Sequence, residues 1–351
     1  MLCIHIAQEE VDHAMQETSS EQVVEAIFDS TYRCNARCSY CDIPTVAQSL
    51  HQGEEEISVG DIRKLLKSKY LKSLFRFSIS GGEPLLREDI KELLALALEK
   101  ARCVSLVTNG LLPQKVKETI SEIDVSRLGL AVSLDAVGEK QDKIMKVPGA
   151  FNQIEKTLQV AGSVDLGFRM IAFTITPHNF GEIPKVGELA SKYEAFVYAE
   201  FAHPLYRYKY TDSQLRWIND ALHNLGKPFT NLPKEIDEAI VSSIRFLMDN
   251  CVRQFKYRLK FFEHTGGRQW FILSPYGEIY PCWPHRDFCV WNDETGSLGN
   301  PRYRFGNIKE EDFDKIWESE RANRIRKEIS SDDHIHHNWT ECTILSYFVV
   351  R

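Results

Sequence analysis

Residues 34–41 read Cys-Asn-Ala-Arg-Cys-Ser-Tyr-Cys, and this run decides how the rest of the chain is interpreted. It places Cys34, Cys38 and Cys41 in a C-x3-C-x2-C pattern with no fourth cysteine nearby. Each of the four irons in a cubane iron–sulfur cluster needs a thiolate or a substitute for one. Three protein thiolates leave one iron open, and an open coordination position marks a reactive metal site. The spacing therefore predicts a reactive iron–sulfur cluster.

Two other uses of these cysteines fit the sequence less well. A disulfide framework is disfavoured because the nine cysteines are an odd number and the first residues lack the pattern of a secretory leader. A structural zinc site normally has a fourth Cys or His close by, whereas His51 is isolated in a polar stretch. Zinc remains the alternative that the triplet alone leaves open.

The composition is that of an ordinary globular enzyme and disfavours two classes of function. Of the 351 residues, 43% are hydrophobic and 26% are charged. The net charge is −7 and the basic residues are dispersed, whereas a nucleic-acid-binding surface needs a basic face or stripe. No apolar run approaches the length of a membrane span. Because cysteines that stay reduced indicate a reducing compartment, we expect a cytoplasmic protein with no nucleic-acid or membrane partner.

The first 200 residues alternate apolar runs with amphipathic segments, and this alternation predicts the fold class. Strands are predicted at residues 23–29, 73–80, 104–108, 128–133, 168–176 and 196–201. Helices are predicted from Ser58 and at residues 88–100, 114–123, 151–160 and 183–193. Repeated βαβ units give an α/β protein with a parallel sheet, and right-handed crossovers curl that sheet toward a barrel or partial barrel. Ligands of such sheets bind at the carboxyl ends of the strands.

Unusual residues fall at those carboxyl ends. The cysteine run follows the first strand, and the next three strands are followed by Ser80-Gly-Gly-Glu-Pro84, Thr108-Asn-Gly110 and Ser133-Leu-Asp135. Paired glycines let the backbone approach a ligand closely, and a glutamate accepts hydrogen bonds from an ammonium group. Asp135 or Asn109 would bond ribose hydroxyls. Each motif alone is also a common turn, so their shared position at successive strand ends is what indicates a ligand site.

Together these motifs resemble the radical S-adenosylmethionine (SAM) superfamily over residues 24–202. The resemblance implies a partial (β/α)6, TIM-like barrel that binds a [4Fe-4S] cluster. In that family the amino and carboxylate groups of SAM chelate the open iron. Reduction then cleaves SAM to methionine and a 5′-deoxyadenosyl radical, which abstracts a substrate hydrogen.

The resemblance also assigns roles to individual residues. The cluster ligands, and thus the catalytic residues, would be Cys34, Cys38 and Cys41. The SAM contacts that it implies are Tyr40, Gly81, Gly82, Glu83, Asn109, Ser133, Asp135 and Arg169. The glycines and Glu83 would meet the methionine end of SAM, Ser133 and Asp135 its ribose or carboxylate, and Tyr40 its adenine through the backbone. Arg169 would pair with the SAM carboxylate, whose geometry suits a guanidinium, although a structural ion pair explains it equally well.

The C-terminal third resembles the twitch or SPASM domains of the same superfamily. Residues 271–282 predict a hairpin that turns at Pro275-Tyr-Gly277, and a helix is predicted over 313–326. The expected organisation is therefore an N-terminal extension (1–23), the radical SAM core (24–202), a helical connector (203–260) and a small α+β auxiliary domain (261–351).

The cysteines of this last region depart from the family pattern. A complete SPASM domain has enough cysteines for two auxiliary clusters, whereas this chain has four after residue 250, namely Cys251, Cys282, Cys289 and Cys342. Four suffice for one auxiliary [4Fe-4S] cluster, in which either Cys251 or His264 would be the fourth ligand. The alternative is that the cluster has been lost and only its scaffold remains.

The function expected from the resemblance is a radical SAM oxidoreductase. It would abstract hydrogen from a peptide or another natural-product or small-molecule substrate, giving a net oxidation or a new bond. A flavodoxin or ferredoxin would supply the electron. The competing class is a non-catalytic iron–sulfur electron carrier or cluster-binding protein, which has no need for a SAM pocket and leaves the Gly-Gly-Glu-Pro run unexplained.

Overall fold

A computed structural model describes residues 22–176, 178–201, 266–281, 291–292, 297–298, 301–329 and 348–350. Within these ranges the chain forms a mixed α/β structure around one large, mainly parallel sheet. None of the helices in these ranges has the length and apolar character needed to cross a membrane.

The centre of the sheet is a series of parallel strands in sequence order, as the alternation predicted. These strands are β1 (Glu25–Asp29), β2 (Arg76–Ser80), β3 (Cys103–Thr108), β4 (Leu128–Ser133), β5 (Phe168–Ile175) and β6 (Phe196–Phe201). Each pairs in parallel with the next, so all their carboxyl ends meet at one edge. The predicted fold class is confirmed, and the predicted strand bounds differ from the observed ones by at most three residues.

Helices lie between successive strands along the chain. Those of six residues or more in the described ranges are α1 (Val59–Leu65), α2 (Ile90–Lys100), α3 (Pro113–Ile120), α4 (Glu139–Met145), α5 (Ala150–Gly162), α6 (Ile183–Lys192), α7 (Phe313–Glu318) and α8 (Glu320–Ile329). A π-helical turn (Ile43–Ala47) leads into a short helix (Gln48–Leu50), and 3-10 turns occupy Lys69–Leu71, Pro84–Leu86, Phe180–Glu182 and Pro301–Tyr303. The predicted cap at Ser58 is present, because its hydroxyl accepts from the Asp61 amide and the Asp61 carboxylate accepts from the Ser58 amide.

Two helices differ from the sequence prediction. Helix α4 was not predicted, because in seven residues it buries only Gln141 and Met145 and so shows no apolar periodicity. The single helix predicted over 313–326 is two helices, interrupted where Ser319 adopts an extended backbone. The Ser319 hydroxyl accepts from the Ala322 amide at 3.0 Å and so caps α8.

The C-terminal hairpin continues the same sheet. It consists of β7 (Trp270–Leu273) and β8 (Glu278–Tyr280), and β7 pairs in parallel with β1 from Glu25↔Trp270 to Phe28↔Leu273. The remaining strands are β9 (Trp291–Asn292), β10 (Ser297–Leu298), β11 (Gly306–Asn307) and β12 (Phe348–Val350). The full sheet order is β11-β8-β7-β1-β2-β3-β4-β5-β6-β12, with β9 and β10 paired separately. The turn after β7 therefore lies at the same edge as the cysteine loop.

An aromatic cluster fixes this hairpin to the rest of the core. The fully buried ring of Phe271 lies 4.9 Å from the Phe313 ring and 5.9 Å from the Trp317 ring, centroid to centroid. Across the contact with the first half of the chain, the Ile57 amide donates to the Pro275 carbonyl at 2.7 Å. Packing and hydrogen bonding thus join residues 266–281 and helix α7 to the β1 side of the sheet.

Replacing Phe271 tests this attachment. We expect Phe271→Ala to lower the free energy of unfolding by about 3–5 kcal/mol, because it removes a buried ring and leaves a cavity. Leu50→Ala is the control, since Leu50 is 43% exposed, and its effect should stay within about 0.5 kcal/mol. Chemical denaturation measures both, and equal effects would show that the hairpin does not contribute to the core.

Candidate functional site

The cysteine loop begins where β1 ends, at the edge where the strands of the sheet terminate. The thiols of Cys34, Cys38 and Cys41 are each partly exposed. Burial raises the pKa of the Cys38 thiol, and the nearby charges of Asp135, then of the other two cysteines, raise it further. The structure therefore brings the three predicted ligands together on one loop.

The surroundings of the Cys34 sulfur suit an iron–sulfur cluster. Among the described residues, no three His, Cys, Asp or Glu side chains form a group that could hold a single metal ion. The Cys34 sulfur also has two N–H donors in place, the Ala36 amide at 3.4 Å and the Asn109 side-chain amide at 3.6 Å. Such donors stabilise a thiolate and tune a bound cluster, so these residues fit an iron–sulfur cluster.

The loop after β2 packs directly against the cysteine loop. The amide of Gly82 donates to the Thr31 carbonyl at 2.7 Å, and the amide of Glu83 donates to the Arg33 carbonyl at 2.8 Å. A Cβ on Gly82 would lie 2.3 Å from the Arg33 carbonyl oxygen, and one on Gly81 would lie 2.4 Å from that of Thr31. Gly81 also has a φ of +130°. Both positions require glycine because two backbone segments touch there.

The side chain of Glu83 joins β2 to β3. It is fully buried and accepts from the Thr108 hydroxyl at 3.0 Å, the Asn109 amide at 2.7 Å and the Leu85 amide at 3.1 Å. Burial raises the pKa of this carboxyl to about 7, and the hydrogen bonds oppose that rise. The carboxylate that was expected to receive an ammonium group is thus surrounded by donors from its own chain.

Asp135, at the end of β4, is also engaged by the protein. Its carboxyl is fully buried and accepts from the Tyr40 hydroxyl at 2.5 Å and from the Thr174 amide at 2.6 Å. Burial raises the pKa of Asp135 to about 6. Burial, together with the Asp135 charge, raises the pKa of Tyr40 well above its usual value. Ser133 lies half-buried at the end of the same strand.

Helix α4 supplies further contacts to the cysteine loop that the sequence did not reveal. The amides of Arg37 and Ser39 donate to the carbonyls of Met145 and Ile144, at 3.0 and 2.9 Å. The Gln141 side-chain oxygen accepts from the amides of Asp135 and Ala136, each at 2.9 Å. No sequence signal marks these residues, because two of the contacts use backbone carbonyls and α4 itself was not predicted.

Arg169 corrects one of the sequence expectations. It lies at the amino end of β5, away from the loops that hold the cysteines. Its guanidinium donates to the Ala161 carbonyl at 2.8 Å and to the Val164 carbonyl at 2.7 Å, at the C-terminal end of α5. A cation there satisfies terminal helix carbonyls, so the side chain is structural and does not face the cluster loop.

The predicted auxiliary-cluster ligands lie outside the described residues. This applies to Cys251, His264, Cys282, Cys289 and Cys342. The hairpin that leads toward Cys282 is described as far as Pro281. The auxiliary cluster and its ligand set therefore stay a prediction.

A cavity of about 430 Å³ opens beside the cysteine loop, on the side of β7. Arg33, next to the first cysteine, and Tyr276, in the hairpin turn, both line it. The Tyr276 ring stacks on that of His51 at 4.0 Å between centroids. The cavity thus lies where the two halves of the chain meet.

Two family models match the chain. Residues 29–190 match the radical SAM superfamily, and residues 265–343 match an iron–sulfur cluster-binding domain of the SPASM type. The first range contains the cysteine loop and the motifs after β2, β3 and β4. The second contains the hairpin and helices α7 and α8.

Individual curated proteins match this chain at low sequence identity. The antilisterial bacteriocin subtilosin biosynthesis protein AlbA of Bacillus subtilis is 22% identical over 86% of this chain and 60% of its own length. The AdoMet-dependent heme synthase of Methanosarcina barkeri is 26% identical over 83% of this chain and 81% of its own length. For AlbA and two other curated relatives, the chain spans about half of the relative, between 43% and 60% of its length.

Among solved structures, Streptococcus suis SuiB bound to S-adenosylmethionine aligns with a TM-score of 0.57. The identity is 16%, and the alignment covers 87% of this chain and 68% of SuiB. SuiB has also been solved with its precursor peptide SuiA bound. At this identity the similarity establishes the fold.

The close approach of the two loops can be tested at Gly82. We expect Gly82→Ala to lower the free energy of unfolding by about 1–3 kcal/mol, since the new methyl group overlaps the Arg33 carbonyl. The amount of iron that this variant binds after anaerobic reconstitution should also fall. Gly162→Ala is the matched control, because a Cβ there meets nothing within 4 Å. If both variants keep wild-type iron and stability, the loop contact is not required.

Proposed function

The chain is a member of the radical SAM superfamily with a C-terminal SPASM-type domain, and we propose that it is an oxidoreductase acting on a peptide or another natural product. When bound and reduced, the [4Fe-4S] cluster with SAM supplies a 5′-deoxyadenosyl radical that abstracts a substrate hydrogen. The observation that carries the proposal is the position of the three partly exposed thiols on one loop at the carboxyl edge of the sheet, with the glycine-rich loop packed against it.

Several residues of this chain would hold and shield the cluster. Cys34, Cys38 and Cys41 would each bind one iron. Asn109, whose backbone amide donates to Glu83, would keep its side-chain N–H group on the Cys34 sulfur. We further propose that the loops after β2 and β4, which include the half-buried residues Gly81, Gly82 and Ser133, face SAM.

A peptide is the favoured substrate for two reasons. AlbA, which belongs to bacteriocin biosynthesis, matches most of this chain, and SuiB, which shares the fold, binds a precursor peptide. The cavity lined by Arg33 and Tyr276 would receive part of such a substrate next to the first cysteine. A haem-type tetrapyrrole is the second candidate, because the heme synthase is matched over most of both chains.

The proposed enzyme consists of three segments and depends on an electron donor. We propose that residues 24–202 form the catalytic core, that 203–260 connect it to the auxiliary domain, and that 261–351 carry one auxiliary [4Fe-4S] cluster. The two family matches fall within the first and last of these segments. A flavodoxin or ferredoxin would be the electron donor, in a cytoplasmic enzyme.

Loss of one cluster ligand should abolish SAM cleavage. Wild-type protein, reconstituted anaerobically and given SAM and dithionite, is expected to form 5′-deoxyadenosine, measured by chromatography. Cys38→Ala should form none above background, whereas Cys103→Ala should match the wild type because Cys103 lies within β3. A non-catalytic cluster protein would form no 5′-deoxyadenosine with any of the three proteins, and that result would exclude the proposed activity.

The iron content of a triple variant counts the auxiliary clusters. With Cys34, Cys38 and Cys41 all replaced by alanine, the protein should retain about four irons per chain if one auxiliary [4Fe-4S] cluster is present. Iron and sulfide analysis of the reconstituted protein gives the number. Residual iron near zero would contradict the auxiliary cluster and leave the SAM cleavage proposal standing.

A further inference from the structure

The segment after β4 holds the cysteine loop at three neighbouring positions. We propose that Asp135 acts as a positioning residue: it fixes the cluster-binding loop through Tyr40 and does not itself bind SAM. We call Asp135, Gln141, Ile144 and Met145 the loop clamp. The inference rests on the proposed function and revises the role that the resemblance implied for Asp135, which was contact with the SAM ribose or carboxylate.

The carboxylate of Asp135 is already used by the protein. One oxygen accepts from the Tyr40 hydroxyl at 2.5 Å and the other accepts from the Thr174 amide at 2.6 Å. The side chain has no solvent exposure. Each oxygen has a second acceptor site, but because the side chain is buried, a ribose hydroxyl could reach it only if the residues that cover it moved. Asp135 is therefore better suited to hold Tyr40 than to bind a diffusible ligand.

The backbone around Asp135 is fixed as well. Gln141 accepts from the Asp135 and Ala136 amides, and the Asn179 side chain donates to the Asp135 carbonyl at 3.1 Å. Asn179 is itself held by the Thr176 amide at 2.7 Å. The backbone amides and carbonyl around Asp135 are thus hydrogen-bonded within a buried turn. These hydrogen bonds hold the carboxylate in one position.

The clamp contacts surround one cysteine. The amides of Arg37 and Ser39, on either side of Cys38, donate to the last carbonyls of α4. Tyr40, immediately before Cys41, bonds Asp135. Contacts at three of the four residues 37–40 therefore restrict the backbone that carries Cys38 and Cys41. Holding ligands in place before a metal group binds reduces the reorganisation that binding requires, as preorganised sites do in general.

A double-mutant cycle distinguishes a positioning role from direct SAM binding. The variants are Tyr40→Phe, Asp135→Asn and the two combined, each reconstituted as the iron-loaded full chain. Two properties are measured without substrate: the electron paramagnetic resonance spectrum of the reduced cluster before SAM is added, and the dissociation constant of SAM from a titration of that spectrum.

If the clamp acts through Tyr40, Tyr40→Phe alone should change the SAM-free spectrum and weaken SAM binding roughly 2- to 10-fold, as expected for one lost hydrogen bond. Asp135→Asn should change both by a similar factor. The double variant should be no worse than either single variant, because Tyr40→Phe removes the hydroxyl whose charged acceptor Asp135→Asn replaces, so both variants alter the same interaction. Loss of iron by both single variants, with iron retained by the control below, would also support the clamp.

The inference is overturned if Tyr40→Phe leaves the spectrum and the SAM affinity unchanged while Asp135→Asn weakens SAM binding. It is equally overturned if the two effects multiply in the double variant. Tyr193→Phe is the matched control, since it removes a tyrosine hydroxyl bonded to Glu155 at 3.1 Å on the outer side of α5 and α6. No readout depends on turnover, so a failure to find a substrate bears on the proposed function alone.

Discussion

The backbone contact between residues 31–33 and 81–83 is the constraint on which the site depends. It requires two glycines, because any side chain at Gly81 or Gly82 would overlap a carbonyl of the cysteine loop. Once the two loops touch, Glu83 is placed in the interior, where it bonds the end of β3. Asn109 then reaches the Cys34 sulfur. One close approach thus organises three successive strand ends around Cys34.

Buried carboxylates hold this edge of the sheet together. Glu83 and Asp135 are both fully buried, and both accept hydrogen bonds from backbone amides and from a hydroxyl. An ionised group removed from water is costly unless it is hydrogen-bonded, so each carboxylate fixes the donors around it. Glu83 links β2 to β3, and Asp135 links β4 and β5 to the cysteine loop. The result is a set of strand-end loops held together by contacts within the protein itself.

The hairpin β7–β8 lies on the side of β1 that faces away from β2. Because β7 pairs with β1 in parallel, its turn comes out beside the cysteine loop, and Tyr276 stacks on His51 there. The aromatic contacts of Phe271 with Phe313 and Trp317 bind this hairpin to the last described helices. The hairpin of the SPASM-type segment is therefore part of the same sheet as β1–β6, and its Tyr276 lines a cavity together with Arg33.

The sequence by itself determined the parallel α/β sheet, because the alternation of strand and helix periodicity is a local property. It also determined that the three cysteines follow the first strand on one loop, because their spacing can be read along the chain. Only the tertiary structure decided what the polar strand-end residues do. Glu83 and Asp135 bond other loops of the protein, Arg169 bonds the end of α5 at the far side of the sheet, and α4 holds the cysteine loop through its carbonyls. These roles depend on donors and acceptors that are distant in sequence, and backbone carbonyls carry no residue identity. The pairing of β7 with β1 escaped prediction for the same reason, since strand neighbours in a sheet are set by packing between segments more than 200 residues apart.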